Sequence, residues 1–291
     1  MAGDNQHYLP RLLLRGFLNG RPGEYAWEFR KGCAPEEKPI ERIASDFRFY
    51  GNPGEKSPDA RLTKREKRYG DILHRIRKAP RDLPIKISPG EKKHILDLIT
   101  DTIIRTKRQQ DILDDLTMEQ FSPLLKSAFL TERVKDDPLY ARLAHGVIEG
   151  LEKHMRSVVI KGAHSKAAGD PLPPTSKYHR YRNFTWSILV YPPGTFILGD
   201  FGPVVICGSE MIFNLAFSDE EEVRAILLPI AHDLLLVGKA PQEGSRQIPA
   251  AETINVAVAE LSREFFVSNQ YGPREAKYFE NLGRRANEEI G

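Results

Sequence analysis

Cysteine is almost absent: Cys33 and Cys207 are the only two in 291 residues. They stand far apart, with no Cys-x-x-Cys spacing and no histidine pair beside either, which argues against a disulfide framework and a thiolate metal site. No run of about 18 apolar residues is present, so no membrane span is expected. Residues 1–20 lack the small-residue cleavage site of a secretory segment, and the leucine run at 12–14 is too short to export anything. Together these absences point to a reducing cytoplasm. A strong charge imbalance is missing too: the formal charge is +3 and the pI near 8.7, too mild for the total to argue for nucleic acid. There is no nucleotide-binding glycine loop, no covalent-nucleophile signature, no zinc spacing and no internal repeat. Metal ligands are therefore not expected, and cofactor and oligomeric state stay unassigned.

What is present can bury a large core, since 40% of the residues are hydrophobic. The pattern predicts one α+β domain over 1–291. Its subregions are a helix and β-hairpin (1–58), a central helical bundle (59–161), a linker (162–182) and an antiparallel β-rich region with closing helices (183–291). The stretch 6–17 sets His7, Tyr8, Arg11, Arg15 and Phe17 around four leucines, a composition that has no reason to fray. It should dock as a helix over 10–18, with His7 and Tyr8 aimed somewhere specific. Period-two alternation at 24–30 and the turn at Lys31-Gly32 give the hairpin. The aromatic run 45–51 is expected to cover it.

A basic helix follows at 59–79. Its window 61–81 holds nine Lys or Arg, including Arg65 and Arg68, against only Glu66 and Asp71. Either this is a phosphate-tracking face or it is a solvated helix packing through Leu62, Tyr69, Ile72, Leu73 and Ile76. Ser88-Pro89-Gly90-Glu91 opens the next helix with a capping box, and its periodicity carries it to about residue 116. Arg105 falls inside that helix's apolar stripe, where a guanidinium needs a partner. Asp101, one turn earlier, is the nearest candidate, and an anion or substrate is the other reading. Helices at 118–130 and 138–160 come next. The second has the stripe Leu139, Leu143, Val147, Leu151, Met155 and Val158, read as core.

Within the linker and its exit, 177–182 interleaves bases with aromatics, Tyr178 and Arg180 among them, as single-strand binders do. The strand at 183–191 is expected to pair with 195–198. Beyond it, Asp200 stands between Gly199 and Gly202 at a strand end, the best acid in the chain or a turn aspartate bonding its own backbone. Strands at 212–217 and 225–237, the latter broken at Pro229, precede a helix at 251–267 that carries Asn255 at its margin.

Four of these places together resemble a bacterial family of domains of unknown function, number four-two-three-eight. They are His7-Tyr8-Leu9-Pro10 with Leu14 and Phe17, the helix bearing Ile104-Arg105-Thr106, Trp186 followed by Phe196-Ile197 and 200–204, and the helix containing Ile254-Asn255. The family pattern near Asp200 is closer to Ser-Asp-Asn-Pro-Val, one residue shorter than this chain. The resemblance implies a shared site rather than a reaction. Two functions are weighed. One is a non-catalytic binding or accessory module, in phage defence or bacterial conflict, holding a buried His7–Arg105–Asp200 network with Arg11, Asp101 and Asn255 around it. The alternative is a nuclease on RNA or DNA. There, with little or no dependence on metal, His7 is the acid or base, Arg105 steadies phosphoryl charge, Asp200 orients His7 or holds a divalent ion, and Tyr8 donates to phosphate or stacks. Both readings require these residues to converge.

Overall fold

The computed structural model describes residues 5–52, 57–131, 134, 136, 138–169, 181–212, 223–243 and 247–286, and the fold is α+β. Three antiparallel sheets organise the described residues. Strand β1 (Asn5–His7) pairs with β4 (Ser45–Phe47). A four-stranded sheet runs β3 (Glu36–Pro39), β2 (Tyr25–Arg30), β11 (Phe265–Ser268), β6 (Leu198–Gly199). A five-stranded sheet runs β5 (Thr185–Val190), β10 (Leu234–Lys239), β9 (Val223–Ala231), β7 (Val204–Cys207), β8 (Glu210–Ile212). The expected hairpin is β2–β3, in register from Tyr25–Pro39 to Glu28–Glu36.

After β1, Pro10 leads into a single turn of helix, α1 (Arg11–Leu14), which tightens to a 3-10 turn at Arg15–Phe17. Leu12, Leu13, Leu14 and Phe17 are all buried, so the leucines dock this segment as their number suggested. Helix α2 (Pro58–Lys78) buries the stripe Leu62, Tyr69, Ile72, Leu73 and Ile76. Helix α3 (Pro89–Arg105) opens on the full capping box: Ser88 Oγ accepts from the Glu91 N–H, and Glu91 accepts from the Ser88 N–H.

Several expectations are corrected. The helix starting at Pro89 stops at Arg105, because Thr106 takes an extended ψ of 150° and caps α4 (Lys107–Phe129) by accepting from the Gln109 N–H at 3.2 Å. Helix α5 (Pro138–His154) runs through a π-helical turn, Met155–Ile160, into α6 (Lys161–Gly169). Its Leu139, Leu143, Val147, Leu151 and Val158 are exposed, not core; only Ala144, Ile148 and Ile160 are buried along it. Strand β5 pairs with β10, whereas Leu198–Gly199 joins β11 in the other sheet. The single strand expected at 225–237 is two, β9 and β10, and β9 runs past Pro229 to Ala231, with its pairing to β10 slipping by one residue beside the proline. Beyond Leu227 that strand has β10 on one side only, so a residue without an N–H is tolerated there.

The helix expected at 251–267 ends at Leu261 as α7 (Ala251–Leu261), and Phe265–Ser268 becomes β11. Helix α7 packs against strands of both larger sheets, and α8 (Pro273–Glu280) follows the last strand. The strand expected at 212–217 falls mostly outside the described residues. Of the linker expected at 162–182, residues 162–169 are helical instead, as α6, because the helical hydrogen-bonding continues through the π-helical turn, and 170–180, with Tyr178 and Arg180, lie outside the described residues. Among the described residues no helix is long and apolar enough to cross a membrane.

Candidate functional site

His7 and Tyr8 are neighbours, and because side chains alternate across an extended chain they go to different places. The His7 carbonyl accepts from the Arg105 Nη2–H. Arg105 is buried and its fork is filled: Nη1 pairs with Glu66, and Nε–H donates to the Tyr50 hydroxyl at 3.3 Å. That hydroxyl in turn donates to the Arg105 carbonyl at 3.0 Å. Burial works against the Arg105 charge, yet the adjacent Glu66 carboxylate outweighs it and holds the guanidinium ionised. Burial pushes the Tyr50 hydroxyl up to about 12, so it stays protonated.

The expected Asp101–Arg105 pair does not form. Asp101 instead takes Arg65 through both oxygens, at 2.8 and 2.9 Å, and the Tyr69 hydroxyl at 2.9 Å. Glu66 is the partner that the sequence concealed. It and Asp71 were the only acids in a cationic window, which was the available signal.

The His7 ring lies 3.2 Å from the Ile43 carbonyl through Nδ1. A carbonyl can only accept, so Nδ1 carries the proton and Nε2 presents a lone pair. Burial first, then the Arg11 and Arg105 charges, lowers the imidazole to about 4. It is therefore neutral at pH 7. This ring lines a groove of about 1100 Å³ whose walls include Arg11, Asp59, Lys64, Glu66, Lys67, His74 and Arg105. Lys64 and Lys67 are exposed, one turn apart along α2. Arg11 bonds Glu24 at 3.1 Å at the groove's rim. Burial raises the Asp59 carboxyl, with Arg105 pulling it back.

Much of the basic helix does something other than track phosphate. Arg65 also reaches the Ala168 carbonyl, Arg75 holds Glu91, Arg77 holds the Ile230 carbonyl at 2.9 Å and Arg81 holds Asp233 at 2.7 Å. The first three tie α2 to its surroundings, and Arg81, just past its end, anchors the chain where it leaves the helix. Arg68 stays exposed, outside the groove wall.

Asp200 belongs to a second node. Its carboxylate accepts the backbone N–H groups of Arg263 (3.2 Å), Glu264 (2.6 Å) and Phe265 (3.2 Å), the junction where α7 gives way to β11. Burial pushes the carboxyl up to about 6, with these three donors pulling it back down. Tyr8 packs its ring 5.3 Å from Phe49 and 6.5 Å from Phe265. It shares with Asp200 and Arg108 a small cavity of about 10 Å³, about the size of one water. The close approach that two glycines suggested comes from the protein itself: a Cβ at Gly199 would strike the Ser262 hydroxyl, and one at Gly202, with φ of +89°, the Thr102 methyl. Asp200 thus does not meet His7, and the three-residue convergence is replaced by two nodes.

Asn255 is likewise turned inward. Its amide accepts from the Ile197 N–H at 3.3 Å and donates to the Thr195 carbonyl at 2.7 Å, pairing a strandless stretch of backbone with α7. Asp59 and Glu66 are groove residues that sequence reasoning missed, and so is the buried Tyr50 behind the groove wall. None has a motif; Glu66 and Tyr50 bond Arg105 across 39 and 55 residues of chain. Among the described residues no group of three or more His, Cys, Asp or Glu could hold a metal ion.

A family model described as a protein of unknown function, DUF4238, matches residues 5–270, a span that contains both nodes. No curated protein matches the chain, and no solved structure does.

Proposed function

The chain belongs to the DUF4238 family, and from that premise we propose that it is a non-catalytic binding module whose α2 groove takes a strand of RNA or DNA. The observation that carries the reading is the pairing, in one open groove, of exposed lysines with a bare imidazole acceptor. Lys64 and Lys67 supply mobile cations for phosphate. The His7 lone pair would repel a phosphate oxygen but accept from a ribose hydroxyl or a base amino group. Arg105 acts behind His7, fixing its backbone, and Asp59 and Glu66 keep the groove from being uniformly basic. In this reading the setting would be phage defence or bacterial conflict, with foreign nucleic acid as the strand.

One observation favours the alternative, a nuclease: a neutral histidine with its Nε2 lone pair available is poised as a general base. Against it, the Arg105 donors are engaged by Glu66, Tyr50 and the His7 carbonyl, leaving no guanidinium aimed at phosphoryl charge. Fluorescence anisotropy with labelled single-stranded RNA and DNA separates the readings. Binding is expected at low salt, about tenfold weaker in Lys64→Glu/Lys67→Glu, with both strands recovered intact on a gel. Cleavage abolished by His7→Ala would replace the module with the nuclease. Absence of binding at low salt would overturn both.

A further inference from the structure

Where β11 enters the four-stranded sheet, three stretches far apart in sequence bring cations to one cavity. Arg30 ends β2, Lys31 opens the turn after it, Lys107 is the first residue of α4, and Arg263 stands between α7 and β11. All four line a cavity of about 570 Å³, with Glu264 as the one carboxylate among the described residues of its wall. The register of the sheet explains the meeting: Phe265 lies opposite Arg30, and the Lys31 N–H donates to the Glu264 carbonyl at 2.8 Å.

Glu264 does not neutralise this wall. It accepts from Arg30 Nη1 at 3.0 Å and from Lys107 Nζ at 2.9 Å, so one carboxylate serves two cations. Burial would raise its carboxyl, but the Lys107 and Arg30 charges hold it below the ordinary value, and it stays ionised. Glu28 and Asp111 take one nitrogen each from Arg30 and Arg263, at 2.9 and 2.7 Å, without lining the cavity, and Asp46 stands 3.9 Å from Lys107. Lys31 is left over: among the described residues it pairs with no carboxylate. Its ammonium is nevertheless folded back over the wall, since a Cβ built on Gly283 would come within 3.1 Å of Nζ. An ammonium facing the same cavity as three other cations is repelled by them unless an anion joins them.

We propose that this cavity binds a compact polyanion, a small molecule carrying two or more phosphate groups. Its volume falls within the roughly 300–1,000 Å³ of small-molecule sites, more than a single phosphate fills. Arg263 gives Asp111 only Nη1, and the rest of its fork matches a pair of phosphate oxygens. Lys31 and Lys107 add point charges, and the N-terminal end of α4 adds its partial positive charge beside Lys107. Arg30, committed to Glu28 and Glu264 and stacked 4.7 Å over the Phe265 ring, contributes field rather than contacts. No aromatic ring lines the described wall, so a nucleobase has nothing to stack on and recognition falls to the phosphates. Among the described residues the cavity shares no lining side chain with the α2 groove, so its ligand is separate from the strand. Asp200 lines none of it either; by holding the Arg263 and Glu264 N–H groups it positions those two side chains at the wall.

Equilibrium dialysis of the full chain against inorganic tripolyphosphate at low salt tests this. Saturable binding in the micromolar range is expected, with inorganic phosphate at least about tenfold weaker and adenosine triphosphate equal to tripolyphosphate. Lys31→Glu should lose at least about tenfold in affinity with an unchanged urea midpoint, because Lys31 has no ion pair to lose among the described residues. Lys126→Glu, the same charge change near the far end of α4, should keep the wild-type affinity. The absence of saturable uptake overturns the proposal. So does an equal loss in Lys31→Glu and Lys126→Glu, which would mark a diffuse charge effect. Binding of adenosine triphosphate without tripolyphosphate would make this a base-reading pocket, and loss of single-stranded RNA binding in Lys31→Glu would make it part of the strand's path; either result also overturns it.

Discussion

Arg105 and Asp200 are both charged, both buried and both marked out by pattern, yet they do different work. Arg105 gathers a side-chain carboxylate, a hydroxyl and the carbonyl of His7, and the residue it holds borders an open groove. Asp200 gathers three consecutive N–H groups at a helix-to-strand junction and borders only a water-sized cavity. Burial and charge do not separate a site from a scaffold. What separates them is whether a partner still faces solvent.

The largest effect should come from the sealed node. Asp200→Ala strands three buried N–H donors where α7 turns into β11, and a loss of about 4 kcal/mol in urea unfolding is expected. A loss under about 1 kcal/mol would break the contrast, because Asp200 would then be dispensable to the fold. Arg105→Met should cost somewhat less, about 3 kcal/mol, since it leaves the partly exposed Glu66 unpaired. A double-mutant cycle with Glu66→Gln should show coupling above about 1 kcal/mol; independent effects would mean that the pair does not hold the node together.

The smallest effect is in pH. His7 and His164 are both lowered to about 4 from 6.5, so the folded state binds fewer protons than the unfolded one between those values. Their contribution is complete above pH 6.5 and lost as pH falls towards 4. Asp200, raised to about 6 from 3.8, has the opposite sign: the folded state binds the extra proton, and its contribution grows as pH falls from 6 to 3.8. His7→Gln should therefore flatten the acid-side decline in stability, and Asp200→Asn should steepen it. Identical slopes in wild type and His7→Gln would mean that the ring is solvated, not held under Arg11 and Arg105.

Local chemistry made part of this legible. The capping box at Ser88, the β2–β3 hairpin, the buried leucines after Pro10 and the apolar stripe of α2 are all written within one or two turns of chain. The failures are non-local. Phe265 continues the helical period of Ile254, Val258 and Leu261, and only a carboxylate some sixty residues away draws 263–265 out of the helix. Asp101 and Arg105 have ideal spacing for a pair, but Arg65 and Glu66, adjacent on α2, take one each. The α5 stripe has correct periodicity and faces outward, because periodicity tells which side is apolar and not what covers it. At the site, His7 and Arg105 could be singled out from sequence, whereas the groove depends on α2 lying beside β1.

The central claim is that strand binding belongs to the His7 groove and not to the Asp200 node. Nuclear magnetic resonance of isotope-labelled protein, titrated with a short single-stranded RNA, reads this directly. The His7 ring nitrogens and the Lys64 and Lys67 signals should shift with the titration, the Arg263, Glu264 and Phe265 amides staying still. Shifts confined to those three amides, with His7 unmoved, would contradict the account.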